Sequence, residues 1–129
     1  MTKFLATQTG QKLAYSFTKG TGPTVVFLGG FKSDMEGSKA IFLEKWAKKR
    51  NRSFLRFDYS GHGQSTGDFL SLGIGDWFND TKQIIELTKN NELILIGSSM
   101  GGWISLLLSR ELGSRLKGCL LYTSDAADD

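Results

Sequence analysis

The residues best placed for chemistry are Gly97-Ser98-Ser99-Met100-Gly101. The pattern G-x-S-x-G here follows an apolar run and precedes a helix-compatible stretch. The spacing has a steric reason. A serine on a sharp strand-to-helix turn needs small residues two before and two after it, so that strand and helix can approach. Gly97 and Gly101 meet that need, and Gly102 adds room. Ser99 would then project its hydroxyl above a sheet, at a helix N-terminus that favours developing negative charge. The Met100 N–H would be one donor to an oxyanion. Ser98 has the wrong offset from the glycines. The plainer alternative is a glycine-rich turn with an idle serine.

Two further segments carry candidate roles. Gly29-Gly30-Phe31 ends an earlier apolar run, where serine turns of this kind draw their second oxyanion N–H. Phe31 would supply it from the main chain, and its ring would line an acyl pocket; a plain turn is the alternative. Asp58-Tyr59-Ser60-Gly61-His62-Gly63-Gln64-Ser65 holds the only histidine. His62 lies before Ser99, whereas the acid and histidine of such a site follow the serine in the chain. Loop shaping is therefore the favoured role for His62. Bracing of the loop through backbone N–H groups is favoured for Asp58.

These turns require elements to position them. Lys3–Thr7 and Lys12–Phe17 read as a hairpin. Thr24–Leu28 and Leu93–Ile96 are continuous apolar runs, as expected of strands buried on both faces, and Ser53–Phe57 is a further strand. Glu36–Arg50 reads as a helix with Ile41, Leu43, Trp46 and Ala47 as its apolar stripe. A second helix would start at a cap on Asp76 and carry Trp77, Ile84, Ile85 and Leu87. A third, Met100–Leu112, would end at Gly113. Strand and helix alternate, which predicts an α/β fold with a mostly parallel sheet and an N-terminal antiparallel hairpin.

Composition bounds the function. The chain has 129 residues, enough for one domain, with 40% hydrophobic and 22% charged residues. One cysteine, Cys119, excludes an internal disulfide, and one histidine argues against a zinc site. No metal or cofactor is expected. Neither G-x-x-x-x-G-K-[ST] nor a complete G-x-G-x-x-G follows a strand, so nucleotide binding is disfavoured. No apolar run approaches the roughly 18 residues of a membrane span. Lys45, Lys48, Lys49, Arg50 and Arg52 cluster at a helix end; solvation there is favoured over nucleic-acid contact. Met1–Gly10 shows neither an apolar leader nor an arginine-rich transit helix, which points to the cytoplasm.

The last eleven residues break with the rest. Cys119–Asp128 matches, over ten residues, the one-frame translation of a transposase sequencing adapter. Residues 1–118 are thus expected to be the N-terminal half of a longer domain, and 119–129 an adapter-encoded tail. Without the three acidic residues of that tail the balance is 16 basic to 10 acidic, a net charge of +6. A sheet ending at Leu116-Lys117-Gly118 would keep an open edge, so the fragment is expected to be aggregation-prone.

Taken together, the three segments resemble the α/β-hydrolase superfamily, truncated after its first half. Phe27–Ala40, Arg56–Ser65 and Gly97–Trp103 are most similar to one branch of it. That branch holds a mitochondrial palmitoyl-protein thioesterase that also cleaves acyl glucuronides, and its bacterial relatives. The resemblance implies a serine hydrolase acting on a small ester or acyl-thioester, with Ser99 as nucleophile and Phe31 and Met100 as the oxyanion hole. It also admits a mitochondrial location. No residue here matches the family's acid or histidine, so the chain alone is expected to be inactive. A non-catalytic binding protein on the same fold, or a serine peptidase, are the competing readings.

Overall fold

The computed structural model describes residues 2–89 and 91–122. Residues 123–129 of the expected tail lie outside them. Among the described residues six strands form one sheet: β1 (Lys3–Ala6), β2 (Lys12–Thr18), β3 (Thr21–Leu28), β4 (Arg52–Phe57), β5 (Leu93–Ser98) and β6 (Leu116–Tyr122). Their order is β1-β2-β4-β3-β5-β6. The β1–β2 and β2–β4 pairs are antiparallel; β3–β4, β3–β5 and β5–β6 are parallel. Three helices connect the strands: α1 (Ser38–Lys49), α2 (Ile74–Ile84) and α3 (Met100–Leu112). The α/β sheet with its antiparallel hairpin is the fold that the alternating pattern predicts.

The two faces of the sheet differ. On one, Val26, Leu28, Leu55, Leu93 and Leu95 pack against Trp77 and Ile84 of α2 and Ile104 and Leu108 of α3. On the other, Val25, Phe27 and Phe54 meet Ala40 and Ala47 of α1, with Leu43, Ile94 and Ile96 partly buried against them. The run Leu93–Ile96 is therefore not buried on both faces. Leu93 and Leu95 are fully buried, but Ile94 and Ile96 are half-buried and Leu120 of β6 is 58% exposed. The reason is coverage: α1 packs chiefly over β4, and Ile94 and Ile96 of β5 are only partly buried against its cluster.

Two helices depart from expectation. The inward face of α1 is Ala40, Glu44 and Ala47, whereas Trp46 is 39% exposed. Glu44 tolerates burial because Arg56 of β4 donates to it through Nε at 2.9 Å and also bonds Glu36 and the Met35 carbonyl. Burial opposes ionisation of Glu44, but the Arg56 bonds outweigh it and hold the carboxyl below its ordinary range. Trp46 instead carries the Arg50 guanidinium over its ring. In α2 the cap is Gly73, not Asp76. Asp76 sits three residues in, where its carboxylate accepts the Gly73 N–H at 2.9 Å.

The Cys119–Tyr122 run continues β6 alongside β5, paired from Leu95↔Cys119 to Ser98↔Tyr122. A short apolar run satisfies an open parallel edge whatever its origin, because the pairing is made by backbone groups.

Candidate active site

Ser99 stands between β5 and α3 with φ 55° and ψ −113°. A non-glycine residue rarely adopts that conformation, and holding it costs on the order of 1–3 kcal/mol. Close packing imposes it. A β-carbon on Gly97 would lie 2.5 Å from the Gly101 carbonyl oxygen, and one on Gly101 would run into the Leu28 carbonyl. A β-carbon on Gly102 would meet nothing nearer than 3.6 Å, so room at that position is not required. The Gly102 and Trp103 N–H groups bond the Ser99 carbonyl and start the helix. Ser99 is exposed and Ser98 is buried.

The turn after β3 lies against this serine. A β-carbon on Gly30 would be 3.4 Å from the Ser98 carbonyl oxygen and 3.5 Å from Ser99 Cβ. Phe31, Ser99 and Met100 share a cavity of about 480 Å³ with Ile74, Trp77 and Trp103. The fold thus gathers residues from three separate segments, two of them expected from spacing. Trp77 and Ile74 were not, because nothing local marks a residue of α2 as facing a turn after β5. The Phe31 ring is half exposed and packs against Phe69 at 5.1 Å and Trp77 at 5.8 Å between centroids.

The Asp58–Ser65 loop lies behind the β3 turn and grips it. The Tyr59 hydroxyl donates to the Gly29 carbonyl at 2.9 Å. The Lys32 N–H donates to His62 Nε2 at 3.1 Å, and the Met35 N–H to Asp58 Oδ1 at 2.7 Å. Asp58 also accepts the Gln64 N–H at 3.0 Å. Burial raises its pKa, with the two N–H bonds opposing. Behind it, Asp80 of α2 accepts both the N–H and the hydroxyl of Ser60, at 2.8 and 2.6 Å, and Trp77 Nε1 donates to the Ser60 carbonyl. Burial raises the Asp80 pKa too. His62 has both ring nitrogens engaged by main chain, Nδ1 with the Ser60 carbonyl at 3.1 Å. The roles of Tyr59 and Asp80 leave no mark in residue spacing; only the fold brings them to the loop.

Among the described residues no group of three His, Cys, Asp or Glu side chains is placed to hold a metal ion, and no helix is long and apolar enough to cross a membrane.

Comparison with known proteins agrees with the fold. Residues 21–124 match the family model Hydrolase_4, described as serine aminopeptidase, S33. The mitochondrial palmitoyl-protein thioesterase ABHD10 of Rattus norvegicus is 40% identical over 94 residues, which are 73% of this chain and 32% of that protein. The chain thus spans about a third of that relative's length. The structure of alpha/beta hydrolase domain-containing protein 10 from mouse superposes with a TM-score of 0.90 at 33% identity, covering 94% of this chain and 48% of that one. Est1E from Butyrivibrio proteoclasticus, solved with ferulic acid bound, gives 0.82 at 19% identity over 91% of this chain and 50% of that one, a likeness of fold alone.

Proposed function

Because this chain belongs to the Hydrolase_4 family of α/β hydrolases, we propose that it is the N-terminal part of a serine hydrolase in which Ser99 attacks an ester or acyl-thioester carbonyl. The observation that carries the reading is the exposed Ser99 at φ 55°, set by flanking glycines and opening on an apolar cavity.

The chemistry follows from the setting. Ser99 Oγ bonds to the carbonyl carbon while its proton passes to a histidine supplied by a longer polypeptide, since His62 is occupied by main chain. The N–H groups of Phe31 and Met100 stabilise the oxyanion. Collapse expels the alcohol or thiol, which takes the proton back from the histidine, and leaves an acyl-Ser99. Water then releases the carboxylic acid. Loss of one such donor typically costs about 3 kcal/mol of transition-state stabilisation. The relative named a palmitoyl-protein thioesterase supports a small ester or acyl-thioester substrate, and its mitochondrial name supports the mitochondrial location over the cytoplasmic one. Residues 119–129 belong to this proposal as an adapter-encoded tail, with the natural polypeptide continuing differently after Gly118.

The family description also favours a second reading, a serine peptidase on the same fold. The full-length protein read from the source locus through codon 118 distinguishes them. A fluorophosphonate probe should label Ser99, and Ser99→Ala should abolish cleavage of p-nitrophenyl esters. Cleavage of an aminoacyl arylamide would favour the peptidase. No adduct on Ser99, or an unchanged rate in Ser99→Ala, overturns the proposal; no hydrolysis of any kind by the full-length protein leaves a binding protein. The 129-residue chain alone should show no hydrolysis above its Ser99→Ala variant.

A further inference from the structure

We propose that His62, which does not join the reacting atoms, is the residue that sets the oxyanion hole. Its imidazole holds the Gly30–Lys32 turn against Ser99, a positioning role that rests on the serine-hydrolase reading above.

The hydrogen bonds dictate the state of the ring. A main-chain N–H can only donate, so Nε2, which receives the Lys32 N–H at 3.1 Å, carries no proton. A carbonyl can only accept, so Nδ1, 3.1 Å from the Ser60 oxygen, carries one. Only the neutral Nδ1–H tautomer makes both bonds. The ring has little freedom to do otherwise. It is 4% exposed and packs edge-on against Trp77 at 5.0 Å, Phe69 at 5.2 Å and Tyr59 at 5.5 Å between centroids.

The bond lands where the turn is least able to hold itself. Lys32 has φ 63°, a left-handed conformation at a non-glycine residue, directly after Phe31. The only other turn bond within the segment is Ser33 N–H to the Gly30 carbonyl at 3.2 Å. The Lys32 N–H belongs to the residue that follows the proposed donor. Releasing it lets the strained peptide relax and swings the Phe31 N–H away from the carbonyl it serves. The remaining two grips, Tyr59 on Gly29 and Asp58 on Met35, lie at the ends of the segment and do not fix its apex.

The test compares His62→Phe, which keeps an aromatic ring of similar size but accepts nothing, with His62→Gln, whose amide can accept at the Nε2 position and donate to Ser60. Both are made in the full-length protein and assayed on a small p-nitrophenyl ester beside Ser99→Ala. His62→Phe should lower kcat about 10- to 100-fold with KM within threefold, less than the outright loss of a donor. His62→Gln should recover to within about tenfold of wild type. A kcat for His62→Phe within threefold of wild type, or equal loss in both variants, overturns the positioning role while an inactive Ser99→Ala leaves the hydrolase reading standing. A fully active Ser99→Ala overturns both. If His62→Phe does not fold, the wild-type ring decides. Long-range 1H–15N spectra should show the Nδ1–H tautomer with a coupling across the hydrogen bond from Lys32 N to Nε2; an Nε2–H tautomer overturns the proposal.

Discussion

Two turns meet at the candidate site, and they are held by different forces. The Ser99 turn is shaped by close packing: Gly97, Gly101 and the Leu28 carbonyl are too near one another to admit a β-carbon. The Gly29–Lys32 turn is shaped by hydrogen bonds from a loop some 30 residues away in the chain, through Tyr59, His62 and Asp58. Steric exclusion leaves one conformation and tolerates no enlargement. A set of hydrogen bonds is graded, each removable at its own cost. A site that needs one group pinned and one donor aimed is thus built with the two means side by side.

The comparison can be broken most severely at Gly101. Gly101→Ala places a methyl group on the Leu28 carbonyl, and neither backbone can retreat, so the full-length protein should lose more than about 3 kcal/mol or fail to fold in urea titration. Its neighbour is the control. Gly102→Ala meets only ordinary contacts with Gly97 and Leu121 and should change stability by less than about 1 kcal/mol, toward stabilisation. Equal damage from the two would show that helix packing at large, and not the strand-to-helix approach, limits this turn.

The second turn should respond by degrees. Asp58→Ala strands the buried Met35 N–H and removes the acceptor of the Gln64 N–H, and should cost about 1–3 kcal/mol in the same titration. The smallest effect is that of pH. Burial raises the Asp58 and Asp80 pKa values above the ordinary 3.8, so the folded state holds protons that the unfolded chain has released. Their contribution is fully present below pH 3.8 and is lost as pH rises through the raised values. Asp80→Asn removes one of these groups, so between pH 3.5 and 6, as order-of-magnitude bounds around the ordinary carboxylate range, wild type should lose stability relative to the variant as pH rises. A difference that stays flat, or slopes the other way, would remove the titrating carboxylates from the account of the clamp.

The same contrast explains what was readable. The glycine spacing around Ser99 is local, and steric exclusion needs no knowledge of the rest of the fold. The strand and helix bounds near it were also readable, since Met100–Leu112 is one unbroken helical run ending at Gly113 with φ 54°. The inward face of α1 was not. Its pattern favours Trp46 over Glu44, and only Arg56, arriving from β4, makes Glu44 the better buried residue. Likewise the apolarity of Leu93–Ile96 says that the strand can be buried twice, whereas coverage depends on which helix reaches it.

The sequence by itself determined the order of strands and helices, the strained serine turn and the small residues that permit it, because each follows from repulsion and periodicity among neighbours in the chain. Tertiary structure alone decided that His62, Tyr59 and Asp58 hold the turn after β3, that Trp77 shares the cavity with Ser99, and that Ile94 and Ile96 of β5 are only half-covered. These hydrogen bonds join segments 23 to 30 residues apart, and no pattern within one segment records which distant partner will arrive.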